Sequence, residues 1–148
     1  MKNIIGALFV IASFNAIASD WDLVTTSADN GQIYLDNSSI RYYKGGVKAW
    51  VKTVYQDDKP SELCYNKIYS EEKIIWYIDC INNTIASSDL IQLTHLGEVS
   101  CSFSMKTNYT AISPDSIAEA VRDRLCKATG KRKQLSNQAD TPHKSTDL

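Results

Sequence analysis

The chain has 148 residues, of which 43% are hydrophobic, and its formal net charge is -1. This length suits one domain with a modest core. The charge is uneven, because residues 127–148 carry a net charge of +3 and residues 19–126 a net charge of -5. The body has no basic stripe interleaved with aromatic residues, which excludes the electrostatic footprint of a nucleic-acid-binding protein. The four cysteines form no Cys-x-x-Cys pair and only two histidines accompany them, so neither a metal site nor a bound cofactor is expected.

The N-terminus has the pattern of an export signal. Lys2 precedes an almost unbroken apolar run at residues 4–14, which is shorter than the roughly 20 residues of a membrane-spanning helix. Residues 16–18, Ala-Ile-Ala, fit the small-x-small cleavage rule. The pattern predicts a signal peptide at residues 1–18 and a mature chain that begins at Ser19. No later apolar run is long enough to span a membrane, and no cysteine near the cleavage point offers a lipid anchor.

Short stretches in which apolar and polar residues alternate predict about six β-strands. We assign them to residues 20–27, 32–36, 47–55, 73–80, 84–86 together with 89–96, and 99–106, with a short extended piece at 40–43. Asn-Gly, Gly-Gly and Asn-Asn pairs supply turns between them. The clearest strand is 73–80, where Ile74, Trp76, Ile78 and Cys80 share one apolar face, which indicates an inner strand. Residues 56–62 are interpreted as a polar loop.

The pattern changes to a helix near residue 113. Ser113 is a good N-cap and Pro114 suits the first helical position. An apolar stripe with a spacing of four residues follows at Ile117, Val121 and Leu125. We therefore predict a helix from residue 114 to about 128, packed on one face of the sheet. The predicted fold is α+β, an antiparallel meander with one C-terminal helix in a domain of residues 19–128, followed by a disordered polar tail at 129–148.

The four widely spaced cysteines of an exported chain predict two disulfide bonds. They are Cys64, Cys80, Cys101 and Cys126. Each bond is expected to stabilise a small domain by roughly 2–4 kcal/mol. Spacing alone leaves all three pairings open.

One strand carries the best candidate for a binding surface. Lys48, Trp50 and Lys52 project from one side of the strand at 47–55, and a loop with Tyr42, Tyr43 and Lys44 precedes it. Tyrosine and tryptophan beside basic residues are typical of protein interfaces. In the alternative interpretation, Trp50 belongs to the core and the lysines protect a sheet edge from aggregation.

No catalytic residue is assigned. His95 has no serine, cysteine or paired carboxylate at a recognisable catalytic spacing, so the protein is predicted not to be an enzyme.

Five segments, taken in order, resemble the surface-adhesin protein E-like family of exported bacterial proteins. They are Val47-Lys48-Ala49-Trp50-Val51 with Tyr55, Tyr77-Ile78-Asp79-Cys80, His95-Leu96-Gly97-Glu98-Val99, Ile112-Ser113-Pro114-Asp115-Ser116 and Leu125-Cys126. The resemblance implies an antiparallel sheet packed on a C-terminal helix and a Cys80–Cys126 bond, which leaves Cys64 to pair with Cys101.

The resemblance also implies attachment to host extracellular-matrix or serum proteins. The other function we weigh is that of a periplasmic accessory protein acting on the cell's own envelope. The expected location is the periplasm, the cell surface or the medium, without a lipid anchor. The sequence leaves open whether the protein forms a homodimer.

Overall fold

The computed structural model describes residues 19–43 and 45–127, and for residues 105 and 106 it describes the backbone alone. The predicted signal peptide, Lys44, the end of the predicted helix at residue 128 and the predicted tail lie outside the described residues. Within the described ranges, no helix has the length and apolar character needed to cross a lipid bilayer.

Within these residues, eight antiparallel strands form one sheet, which confirms the predicted antiparallel meander. The strands are β1 Trp21–Thr26, β2 Gln32–Asp36, β3 Arg41–Tyr43, β4 Gly46–Pro60, β5 Ile68–Asp79, β6 Thr84–Leu93, β7 Val99–Lys106 and β8 Thr110–Ala111. In space the six main strands follow the order β1-β2-β4-β5-β6-β7. The short β3 pairs with β4 and the short β8 pairs with β6.

β4 is longer than its alternation pattern predicts. It runs for 15 residues, and a bulge lies between Val54 and Lys59 in its pairing with β5. The prediction of a loop from residue 56 was therefore wrong up to Pro60. Residues 56–58 are polar because they are exposed to solvent, and an exposed strand end carries the same residue types as a loop.

The helix, α1, begins at residue 117 and continues to 127, the last residue described. Its cap is Ser116, whose Oγ accepts the backbone N–H of Glu119 at 3.2 Å, while a Glu119 carboxylate oxygen accepts the backbone N–H of Asp115 at 2.8 Å. The predicted start at 114 was wrong by three residues. Pro114 and Asp115 form a turn before the cap, and Asp115 adopts a positive φ of 56°.

The core lies between α1 and one face of the sheet. Its buried members are Ile33, Leu35, Val47, Ala49, Val51, Ile78, Ile112, Val121 and Leu125. Ile74, Trp76 and Cys80 pack against this cluster, which confirms the apolar face predicted for the inner strand β5. Of the predicted helical stripe, Val121 and Leu125 are completely buried, whereas Ile117 is exposed at the start of α1.

Both disulfide bonds are present, and their pairing is the one that the family resemblance implies. Cys80, just after β5, is bonded to Cys126 in α1, with a Cα–Cα distance of 5.8 Å. Cys64, in the short 3-10 turn Glu62–Cys64, is bonded to Cys101 in β7, with a Cα–Cα distance of 6.2 Å. The first bond fastens the helix to the sheet, and the second fastens the β4–β5 connection to β7.

Candidate binding face

Alternation along β4 separates its side chains between the two faces of the sheet. Val47, Ala49 and Val51 are buried in the core. The residues that alternate with these three therefore project from the opposite face of the sheet, and they are Lys48, Trp50 and Lys52. We call this opposite side of the sheet the outer face.

Lys52 is held between two aromatic rings on the outer face. Its ammonium nitrogen lies 4.5 Å from the centroid of the Trp21 ring and 5.1 Å from that of Tyr34. The strand register explains the second contact, because Tyr34 on β2 pairs directly with Lys52. A cation over an aromatic face is stabilised by about 0.5–1 kcal/mol at exposed sites. The two rings fix the position of this charge.

Lys48 occupies a second aromatic cluster on the same face. Its ammonium nitrogen lies 5.5 Å from the centroid of Tyr77, the residue with which it pairs on β5. Tyr77 in turn meets the ring of Tyr43 edge-on, with 5.9 Å between centroids. The hydroxyl groups of Tyr43 and Tyr109 are 2.7 Å apart and share a hydrogen bond. Burial and this hydrogen bond raise the pKa of Tyr43 above its ordinary value.

The close approach of Tyr43 depends on a glycine. A Cβ atom at Gly46 would lie 2.3 Å from the Ile78 backbone carbonyl oxygen and 2.7 Å from the Tyr43 hydroxyl oxygen. Tyr43 pairs with Gly46 across the β3–β4 ladder, so the tyrosine ring occupies the space that a side chain at 46 would fill.

Trp50 is half-buried on the outer face, where it pairs with Ile75 of β5. Its backbone N–H donates a hydrogen bond to Ser39 Oγ at 2.9 Å. The interpretation of Trp50 as a core residue was wrong, because its neighbours Ala49 and Val51 fill the core from the other side of the strand.

Lys48 and Lys52 are not neutralised by a salt bridge, unlike Lys73 on the same face, which is paired with Glu71. Among the described residues, no carboxylate oxygen lies within 4 Å of the ammonium nitrogen of Lys48 or Lys52. Asp89 is close enough to Lys48 for the lysine to contribute to lowering its pKa, but hydrogen bonds from Ser104 and Ser88 contribute more. The two positive charges are therefore available to a partner.

Four of the six predicted binding residues share the outer face: Tyr43, Lys48, Trp50 and Lys52. Tyr42 pairs with Val47 and so lies on the side of the core, and Lys44 is outside the described residues.

Sequence reasoning missed the aromatic residues that other strands contribute to this face. They are Trp21, Tyr34 and Tyr77. Their strands are predictable from alternation, but the register that brings them beside the lysines is not.

His95 lies away from these groups. Its Nε2 atom is 3.1 Å from a carboxylate oxygen of Asp58, and both side chains are exposed to solvent.

An eight-stranded antiparallel sheet with a disulfide-fastened C-terminal helix places the described residues in the α+β class, and the outer face of the sheet is aromatic and basic. Residues 21–127 match the family model described as surface-adhesin protein E, and the chain belongs to this family. None of the curated protein sequences matches the chain.

Two solved structures of protein E from Haemophilus influenzae are similar in fold. One is 13% identical in sequence, with a TM-score of 0.54, and the match covers 78% of this chain and 90% of that chain. The other, from the non-typeable form of the organism, is 12% identical, with a TM-score of 0.55 and coverage of 86% and 92%. At such low identities the likeness shows the shared fold.

Proposed function

We propose that this protein is an exported, non-catalytic binding module whose outer face contacts host extracellular-matrix or serum proteins. The observation that carries the proposal is the pair of unneutralised lysines, each held over an aromatic ring beside half-buried Trp50. Membership of a family of surface adhesins supports a binding role rather than catalysis.

The chemistry of the outer face favours an acidic protein surface as the partner. Tryptophan and tyrosine provide a large contact area, and they are enriched among the residues that contribute most to binding. A lysine that is already held by an aromatic ring loses less side-chain freedom when it binds a carboxylate. Such a contact weakens as salt screens the charges.

The test is binding of the purified mature chain to immobilised host serum proteins and solubilised matrix. Lys48→Glu/Lys52→Glu reverses the two charges on the outer face that no salt bridge neutralises, and we expect it to weaken binding at least about tenfold. The matched control is Lys67→Glu/Lys127→Glu, which makes the same change in net charge at two exposed positions elsewhere. Equal loss in both variants would mean that net charge alone governs binding, and no loss in the first would exclude the outer face.

The location needs its own experiment, because an adhesin must reach the cell exterior. Protease treatment of intact producing cells, with lysed cells as control, is expected to remove the protein from both. Survival in intact cells with loss after lysis would place the chain in the periplasm and favour the envelope accessory role instead.

A further inference from the structure

A separate pocket lies at the end of the sheet on the face that carries the core. It is an open pocket lined by the β1–β2 turn, the end of β4, the start of β5, the connection between β4 and β5, and Gln92 of β6, and its volume is about 290 Å³. This volume is at the lower end of the range for small-molecule sites. Thr53 and Tyr55 alternate with Lys52 along β4, and both face the position of Gly31. Thr53 pairs with Glu72 of the pocket wall. The pocket is therefore on the opposite side of the sheet from Lys48 and Lys52.

Two buried polar atoms of residues that line this pocket have no hydrogen-bond partner among the described residues. They are Ser61 Oγ and Gln92 Oε1, and each residue is only 2% exposed. The Gln92 amide nitrogen donates to a Glu72 carboxylate oxygen at 2.8 Å, which orients the amide and leaves its oxygen as an acceptor. The Ser61 backbone is fixed by its N–H, which donates to the Lys67 carbonyl at 2.8 Å. Buried polar atoms are normally satisfied, so these two indicate a missing donor.

The rest of the lining favours a positive charge. Glu62 and Glu72 are both part of the pocket wall, whereas the carboxylate of Asp29 is already paired with Lys59 at 3.1 Å. The rings of Tyr55 and Tyr69 meet edge-on, with 5.8 Å between centroids.

The raised pKa values of Tyr55 and Tyr69 agree with a negative electrostatic potential in the pocket. Burial is the main cause that raises the pKa of Tyr55 and of Tyr69, and the carboxylates of Glu72 and Asp29 contribute to both shifts. The ammonium of Lys59 lies 5.2 Å from the Tyr55 ring centroid, so the rim of the pocket already accommodates one cation over an aromatic face.

We infer that this pocket binds a primary ammonium group attached to an aliphatic chain. An ammonium carries three N–H donors and no acceptor. Ser61 Oγ, Gln92 Oε1 and a Glu72 carboxylate oxygen supply acceptors, and the tyrosine rings supply apolar and cation–π contact for the chain. The group comes from either a free alkylamine or the lysine side chain of a polypeptide. The site is independent of the outer face, so it stands or falls separately from the proposed function.

The test uses the mature, oxidised chain and three probes of similar size. n-Butylammonium and Nα-acetyl-lysine amide carry the ammonium group, and n-butanol is the neutral counterpart. We expect saturable binding of at least one cationic probe by calorimetry, with NMR shifts at the Gln92 side-chain amide and no saturable binding of n-butanol. The tighter of the two cationic probes identifies the source of the group.

Glu72→Gln is expected to weaken binding of the cationic probe about tenfold, since it removes a half-buried negative charge from the pocket wall. The matched control is Glu71→Gln, an equal change at the neighbouring residue, which pairs with Lys73. Ser61→Ala is a second, milder variant and is expected to weaken binding with little change in stability. Failure of both cationic probes to saturate, or equal binding of n-butanol, would overturn the inference and leave ordered water as the partner of the two buried atoms.

Discussion

The Cys80–Cys126 bond provides the most quantitative prediction. It closes a loop with a sequence separation of 46 residues. In the chain-entropy model, closing a loop of this length restricts the unfolded chain enough to stabilise the fold by about 4 kcal/mol near room temperature. The variant Cys80→Ala/Cys126→Ala is therefore expected to lower the free energy of unfolding by about this amount.

The bond between Cys64 and Cys101 is the matched comparison. Its sequence separation is 37 residues, so the same model assigns it about 4 kcal/mol as well. The two variants differ in what they release, because only Cys80→Ala/Cys126→Ala unfastens α1 from β5. Loss of amide-exchange protection in α1 is therefore expected to be selective for that variant.

Urea unfolding followed by tryptophan fluorescence measures both effects. Each double variant is compared with the oxidised parent chain, and midpoints are converted to free energies with the measured m-value. A Cys80→Ala/Cys126→Ala variant within about 0.5 kcal/mol of the parent chain would refute the loop-closure reasoning. Equal loss of α1 protection in both variants would refute the assigned role in fastening the helix.

Three further predictions concern the core, a tight contact and an acidic turn. Leu125→Ala, at a fully buried position, is expected to lower the free energy of unfolding by about 2–5 kcal/mol, against about 1 kcal/mol or less for Ile117→Ala on the exposed start of the same helix. Gly46→Ala is expected to destabilise the β3–β4 hairpin, visible as faster amide exchange in β3, because its Cβ would meet a backbone carbonyl oxygen at 2.3 Å; unchanged exchange would contradict this. The pKa of Asp79 is lowered from 3.8, chiefly by a hydrogen bond from the backbone N–H of Asn82. The ionised Asp79 carboxylate therefore stabilises the fold at neutral pH, and this stabilisation is lost as pH falls through the lowered pKa of the folded state. Asp79→Asn is expected to remove that part of the acid dependence in unfolding curves recorded from pH 6 to about pH 2, and an identical acid dependence in the variant would contradict the assignment.

Alternation of residue types was sufficient to predict most of the sheet, because one face of these strands is buried. It identified the strand at 73–80 and its inward residues, and it assigned the correct parity to Lys48, Trp50 and Lys52. It failed at residues 56–60, where the strand end is exposed and no alternation is required. The start of α1 was misplaced because Ser113 and Pro114 offered a plausible cap, although the pair Ser116 and Glu119 has the capping-box spacing.

The candidate site was less predictable than the fold, since its contacts join residues distant in sequence. Lys52 meets Trp21 and Tyr34 from two other strands, and only the strand register decides which rings are neighbours. Ser61 and Gln92 are likewise brought to one pocket by the β4–β5 connection and β6. A single sequence contains no local signal for such long-range contacts.

The two disulfide bonds interleave along the chain, because Cys80 lies inside the loop from Cys64 to Cys101 and Cys126 lies outside it. A single cut of the backbone anywhere between Cys64 and Cys126 therefore leaves both pieces joined by at least one bond. A protease that nicks one exposed turn in this region separates no fragment, and the broken strand ends stay close enough to remain paired. After one such cut, the sheet and its helix would stay joined as one covalent body.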